Sequence, residues 1–211
     1  MSMPHVIHYP GAEDLAKVLA CTLAEHLSCR VKHLGRALLV LPGGTSPQLL
    51  IKKLAGIELP WEKITVTTTD ERAVPVSHAD SNIGQVRRLL GDTQARYLSL
   101  QDDGGEMKSV LGPDSVMVIG MGADGHIASL FPGMRVTGGD EILCNVESSK
   151  PPKERISLRM ESLLMPEAIN LLVIGAEKRA LCEEVLEGKQ PDLPLAGLIK
   201  KAGNRLILHV A

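Results

Sequence analysis

Aromatic side chains are nearly missing from this chain, with one Trp, two Tyr and one Phe among 211 residues. The interior therefore has to be filled by Leu, Val, Ile, Ala and Met, a composition suited to aliphatic strands covered by helices. Excess positive charge is missing too. The formal net charge is -2 and the pI about 6.4, so no overall field gathers nucleic acid or an anionic membrane, and any anionic ligand has to be caught by a local cluster. The four cysteines, Cys21, Cys29, Cys144 and Cys182, form no CxxC pair and no cluster with histidines. They read as reduced, mostly buried thiols, with no metal site. Long apolar runs are absent, since those around Ala37 to Leu41 and Leu171 to Ile174 are far too short for a hydrocarbon layer of ~30 Å. Met1 to Pro10 lacks the basic stretch and apolar segment of a secretory signal, so the expected location is cytoplasmic.

What is present is an alternation. Leu15, Val18, Leu19, Leu23 and Leu27 recur at helical spacing between Ala12 and about Leu34, with Glu13 and Asp14 suited to the first turn. The aliphatic run Ala37 to Leu41 follows, then the turn Pro42-Gly-Gly-Thr-Ser-Pro47, then a periodic segment from Gln48 to Leu54. The order strand, turn, helix returns at Ile64 to Thr69, which ends in Asp70-Glu-Arg72 and leads to a helix near Asn82 to Leu90. It returns again at Ser115 to Gly120, running into Met121-Gly-Ala-Asp-Gly-His126 and a short helix, and at Asn170 to Gly175 followed by Ala176 to Glu187. Such alternation predicts an α/β fold, three-layer and Rossmann-like, with a mostly parallel sheet and helices on both faces. Ile142 to Val146 and Arg155 to Met160 read as strands antiparallel to the rest at one edge. A last strand is expected at Arg205 to Val210. Length and the lack of repeats or linkers favour a single domain over residues 1–211.

In such a sheet ligands bind beyond the carboxyl ends of the strands, and the polar clusters fall there. Gly43 and Gly44 sit where the backbone turns sharply. The free N–H groups of the following helix start and the hydroxyls of Thr45 and Ser46 suit a phosphate. An ordinary turn with a serine cap is the competing reading. Arg72 is suited to clamp an anion while Asp70 orients a base or water; alternatively Arg72 merely pairs with Glu71 or Asp80. His126, delivered by a glycine-rich turn, is a candidate general base, a role that typically contributes a factor of ~10² to 10⁴. The N–H groups of Gly122, Ala123 or Gly125 are candidate oxyanion donors. A lone histidine is more often structural, but three glycines and Asp124 crowd beside this one.

Taken together, Leu41-Pro-Gly-Gly-Thr-Ser-Pro47, Trp61 with Thr69-Asp-Glu-Arg72, Asp80-Ser-Asn82, Gly120 to Gly133 and Pro152 to Leu158 resemble the 6-phosphogluconolactonase family. This belongs to a superfamily that includes glucosamine-6-phosphate deaminases and ribose-5-phosphate isomerases. The match runs from about Leu38 to Lys178 in order and spacing. The resemblance implies a carboxylic ester hydrolase of the oxidative pentose phosphate pathway that needs no cofactor or metal. In it His126 activates water against the carbonyl of a phosphorylated sugar lactone, with Asp70 and Arg72 lining the site. Gly43, Gly44, Thr45, Ser46, Gly122, Asp124, Gly125, Arg155 and Lys178 are implied to bind the substrate. Two departures stand out: the connection Gly91 to Asp114 is short for the family's longer helical segment, and the end at Ala211 lacks acidic tail residues.

No serine lies in a GxSxG elbow, which argues against an acyl-enzyme. The alternatives are an amino-sugar-phosphate deaminase or isomerase, and a non-catalytic sugar-phosphate sensor of the same fold. Ser129-Leu-Phe-Pro132 lacks the acidic residue associated with deamination, and a pure binder has no need of His126. Oligomeric state, monomer or dimer, is not legible.

Overall fold

Within Ala37–Leu41 all five residues are buried, yet Leu38 and Val40 belong to one apolar cluster while Leu39 and Leu41 belong to another. Because successive side chains point to opposite faces, this strand is covered on both sides, as the aliphatic run demands. The computed structural model describes residues 2–211. In chain order the elements begin with β1 (His5–His8), α1 (Ala12–Leu34), β2 (Ala37–Leu41), α2 (Gln48–Ala55), β3 (Ile64–Thr68) and β4 (Asp70–Arg72). Then come α3 (Asn82–Leu90), β5 (Arg96–Tyr97), α4 (Gly104–Val110), β6 (Val116–Gly120), β7 (Val136–Gly139), β8 (Leu143–Glu147) and β9 (Glu154–Leu158). The chain ends with α5 (Met160–Leu163), β10 (Ile169–Val173), α6 (Ala176–Leu186), α7 (Pro194–Ala202) and β11 (Leu206–Val210).

Seven strands form a parallel sheet in the order β1-β11-β10-β6-β2-β3-β5. On one face α1 lays Leu15, Leu19, Leu23 and Leu27, all fully buried and four residues apart, against Leu39 and Leu41. Each such leucine contributes roughly 1.5–3 kcal/mol of hydrophobic stabilisation. Gly35 then ends the helix at φ 73, its N–H bonded to the Val31 carbonyl, a conformation open to glycine at no steric cost. The other face is covered by α4, α6, α7 and the second sheet, through residues such as Met107, Val185 and Leu198. Among the described residues no helix is long and apolar enough to cross a membrane.

The expected antiparallel pair does not join the edge of this sheet. It builds a separate four-stranded sheet, β4-β9-β8-β7, because β1 and β5 already occupy both edges of the first. Thr69 joins the two: its N–H donates to Leu41 in the first sheet and its carbonyl accepts from Leu158 in the second. The expected strand Ile64 to Thr69 is β3, and the Asp70-Glu-Arg72 cluster expected at its end is a strand of its own in the second sheet. The short helix expected after His126 is also absent. Ile127 instead makes isolated bridges to Met121 and Leu130, and Ala128 has φ 50, outside the right-handed helical region. Of the cysteines, Cys144 and Cys182 are buried but Cys21 and Cys29 are exposed on α1; none is paired.

From β2 the chain moves outward to β3 and β5, then returns to place β6 on the opposite side of β2. That reversal is the topological switch point, and the turns after β2 and β6 carry the two glycine-rich motifs.

Candidate active site

A cleft of about 270 Å³ opens at the switch point. Gly43, Gly44, Thr45 and Ser46 line it from the turn after β2, and Gly122 and His126 from the turn after β6. Asp70, Arg72 and Arg155 line it from the second sheet, and Lys178 from α6. Two of the predicted residues, Asp124 and Gly125, are not among the lining residues.

Asp124 acts on the imidazole. Its Oδ1 lies 2.5 Å from Nδ1 of His126. A carboxylate there accepts the Nδ1 proton, which leaves the lone pair on Nε2. Burial works against the Asp124 charge, but the neighbouring His126 charge and its hydrogen bonds outweigh this and hold the carboxyl below its usual range. The ring is about one-third exposed and tilts against Phe131, with centroids 4.8 Å apart. Gly122 explains why the motif carries a glycine two residues before Asp124: any Cβ there would overlap Cε1 and Nδ1 of the imidazole. Gly125 has φ 79 and presses against Leu193, while its carbonyl accepts from Leu195 at the start of α7. It anchors the turn to the body of the protein.

The oxyanion donors proposed within this turn are mostly spent. Gly122 N–H bonds to the His126 carbonyl and Gly125 N–H to the Gly122 carbonyl. Of the three, Ala123 alone has no backbone partner recorded among the described residues.

In the turn after β2, Gly44 takes φ 89 and donates its N–H to Gln85 Oε1, 2.9 Å away. Gly43 is a glycine for a different reason: the amide of Asn82 occupies the space its Cβ would need. Ser46 is no helix cap. α2 starts after Pro47 without a side-chain cap, and Ser46 Oγ accepts from Lys178 Nζ at 2.9 Å.

Arg72 and Arg155 stand directly opposite each other across β4 and β9. Like charges so placed repel, and Arg155 is buried. Burial first, and then the Arg72 charge, push the Arg155 guanidinium below its ordinary value. Neither arginine pairs with Glu71. That carboxylate accepts from the N–H groups of Arg72, Asn82 and Ile83 and from Ser81 Oγ, which satisfies the start of α3. Arg72 Nη1 reaches only the carbonyl of Asp80, and Arg155 spends Nε and Nη2 on the carbonyls of Pro152 and Lys150. Lys178, in the first turn of α6, is lowered by burial. A cation there opposes the helix dipole. Lys150 completes the basic lining. Among the described residues none of these four cations forms an ion pair with a carboxylate.

Among the polar lining groups, sequence reasoning missed Thr69, Asn82, Ser129, Ser148 and Lys150. Asn82 and Ser129 sat inside motifs already singled out, so their position beside Asp70 and His126 was the available signal. Ser148 and Lys150 lie on the β8–β9 hairpin, whose closure on the cleft is a tertiary event.

An α/β sheet with a carboxylate-oriented histidine and unpaired cations at its switch point defines an enzyme for a small anionic substrate. The sequence pattern of the family described as glucosamine-6-phosphate isomerases/6-phosphogluconolactonase matches residues 10–208, and the chain belongs to that family. A 6-phosphogluconolactonase of Caulobacter vibrioides is 36% identical, covering 92% of this chain and 91% of its own. One from Neisseria meningitidis is 30% identical over 92% of this chain and 94% of its own. The crystal structure of a 6-phosphogluconolactonase from Shewanella baltica has the same fold, with a TM-score of 0.84, 24% identity and coverage of 100% of this chain and 98% of that one. The expected assignment to the carboxylic ester hydrolases agrees with these relatives.

Proposed function

We propose that the chain hydrolyses 6-phospho-D-glucono-1,5-lactone to 6-phosphogluconate, as a cytoplasmic step of the oxidative pentose phosphate pathway. One observation carries the reading: an imidazole oriented by Asp124 shares a cleft with Arg72, Lys150, Arg155 and Lys178, which have no carboxylate partners among the described residues. Unpaired, partly desolvated cations are costly without an anion, and a phosphate dianion supplies it.

In the mechanism, water held against Nε2 of His126 gives up a proton as its oxygen attacks the lactone carbonyl. The tetrahedral intermediate collapses with expulsion of the ring oxygen, to which His126 returns the proton. Asp124 keeps the tautomer and stabilises the imidazolium between these events, as a positioned carboxylate does. A lactone is an activated ester, so one base and a fixed phosphate suffice. The relatives named above favour this reading over deamination.

The test is coupled hydrolysis of freshly made lactone, corrected for its spontaneous opening. His126→Ala should lower kcat by about two orders of magnitude or more with the fold intact. A near-normal rate removes His126 from the chemistry.

A further inference from the structure

We infer that Ser129 is a positioning residue which, through Asp70, sets how the cleft holds a hydroxyl group of its substrate; this rests on the lactonase reading above. Ser129 is 1% exposed and its Oγ donates to Asp70 Oδ2 at 2.6 Å. The other carboxylate oxygen, Oδ1, accepts from Thr69 Oγ1 at 3.0 Å. Ser129 also donates its N–H to Ser157 Oγ, and Ser157 spends its own hydroxyl proton on the Leu158 carbonyl. Ser157 in turn stands opposite Asp70 in the β4–β9 register. Every hydroxyl proton in this group therefore has one assigned acceptor, and the direction of each bond is settled.

This arrangement restricts what Asp70 does. Its carboxylate lines the cleft, makes no hydrogen bond to His126 or Asp124, and is held by two neutral donors, one on each oxygen. An ionised carboxylate offers about four acceptor positions. Two are taken, so the rest serve as fixed acceptors for donors in the cleft, which for a polyhydroxylated lactone are its ring hydroxyls. Ser129 lies three residues after His126 on the same loop, so its bond to Asp70 also fixes the spacing between the base and the acceptor. The loop accepts backbone strain to reach that point, because Ala128, immediately before Ser129, is a non-glycine residue at φ 50.

The experiment is a double-mutant cycle on the full chain with Ser129→Ala, Asp70→Asn and both together. It is read as KM and kcat for phosphogluconolactone and, separately, as affinity for 6-phosphogluconate by calorimetry. Ser129→Ala should raise KM about tenfold and weaken 6-phosphogluconate to a similar extent, with kcat changed by less than about threefold. In the Asp70→Asn background the same change should have little further effect, because the partner through which it acts is gone. Ser129→Thr, which keeps the hydroxyl, should restore most of the affinity, and Ser129→Cys replaces the alanine variant if that one does not fold. Independent, multiplying effects of the two substitutions overturn the proposal while leaving lactonase activity in place. A wild-type protein that neither turns over the lactone nor binds 6-phosphogluconate overturns the proposal and the lactonase reading together.

Discussion

Gly122→Ala tests the active-site turn with the smallest possible perturbation. A single methyl group placed on this residue falls inside the van der Waals envelope of Cε1 and Nδ1 of His126, and 2.5 Å from Oδ1 of Asp124. Neither neighbour is the flexible end of a long side chain. The imidazole is backed by Phe131 at 4.8 Å and tied to Asp124, so it has to retreat as a unit by on the order of 1 Å. A displacement of that size at a reacting group costs about 10²-fold in rate. The loss should fall on kcat, because the cations of the cleft are on other elements, and KM should stay within a few-fold. Gly112→Ala is the matched control, since its Cβ meets nothing within 4 Å. Both variants are assayed for lactone hydrolysis and thermal midpoint. A Gly122→Ala enzyme with wild-type kcat and an undisturbed midpoint would falsify the claim that the glycine exists to admit the ring.

Three further outcomes follow from the site and the core. Asp124→Asn should keep the fold but lower kcat roughly 10- to 10³-fold through loss of the preferred tautomer and of imidazolium stabilisation; unchanged kcat would mean that Asp124 is only a turn residue. Lys178→Met should raise KM for the lactone at least tenfold, yet leave the thermal midpoint of the ligand-free protein equal or higher, because a half-buried cation without a carboxylate partner is removed; an unaltered KM would place the phosphate elsewhere. His209, buried between Tyr9 and Asn170, is pushed down to about 4 by burial. Its depressed value means that the unfolded chain binds a proton that the folded protein refuses. Stability is therefore full above about pH 6.5 and declines toward pH 4, by about 3 kcal/mol in total. Urea titrations at pH 7 and 5 should show this slope flattened in His209→Gln, and parallel slopes would refute the assignment.

The parallel sheet was legible because its strands are aliphatic runs followed by turn residues, and α1 because four leucines recur at intervals of four. Helix α7 was missed although Leu195, Leu198 and Ala202 share one face and Pro194 opens it; Gly197 within the segment masked the period. β1 offered no pattern at all, since its four residues are exposed and its place is set by pairing with β11. Glycine motifs announced where the cleft lies, but not what each glycine does. Gly43 makes room for Asn82, which arrives from α3, and Gly122 makes room for His126 only because its own turn folds the ring back over it. Equally, the facing of Arg72 and Arg155 depends on strand register between segments more than eighty residues apart, which local periodicity does not encode.

Thr69 has a mechanical consequence. One residue donates its N–H to the larger sheet and gives its carbonyl to the smaller, so floor and side wall of the cleft are coupled through consecutive bonds of the same backbone. Shearing one sheet past the other would break these bonds beside Asp70. The Asp70 wall is thereby held to the floor of the cleft by the backbone itself, not by side chains alone.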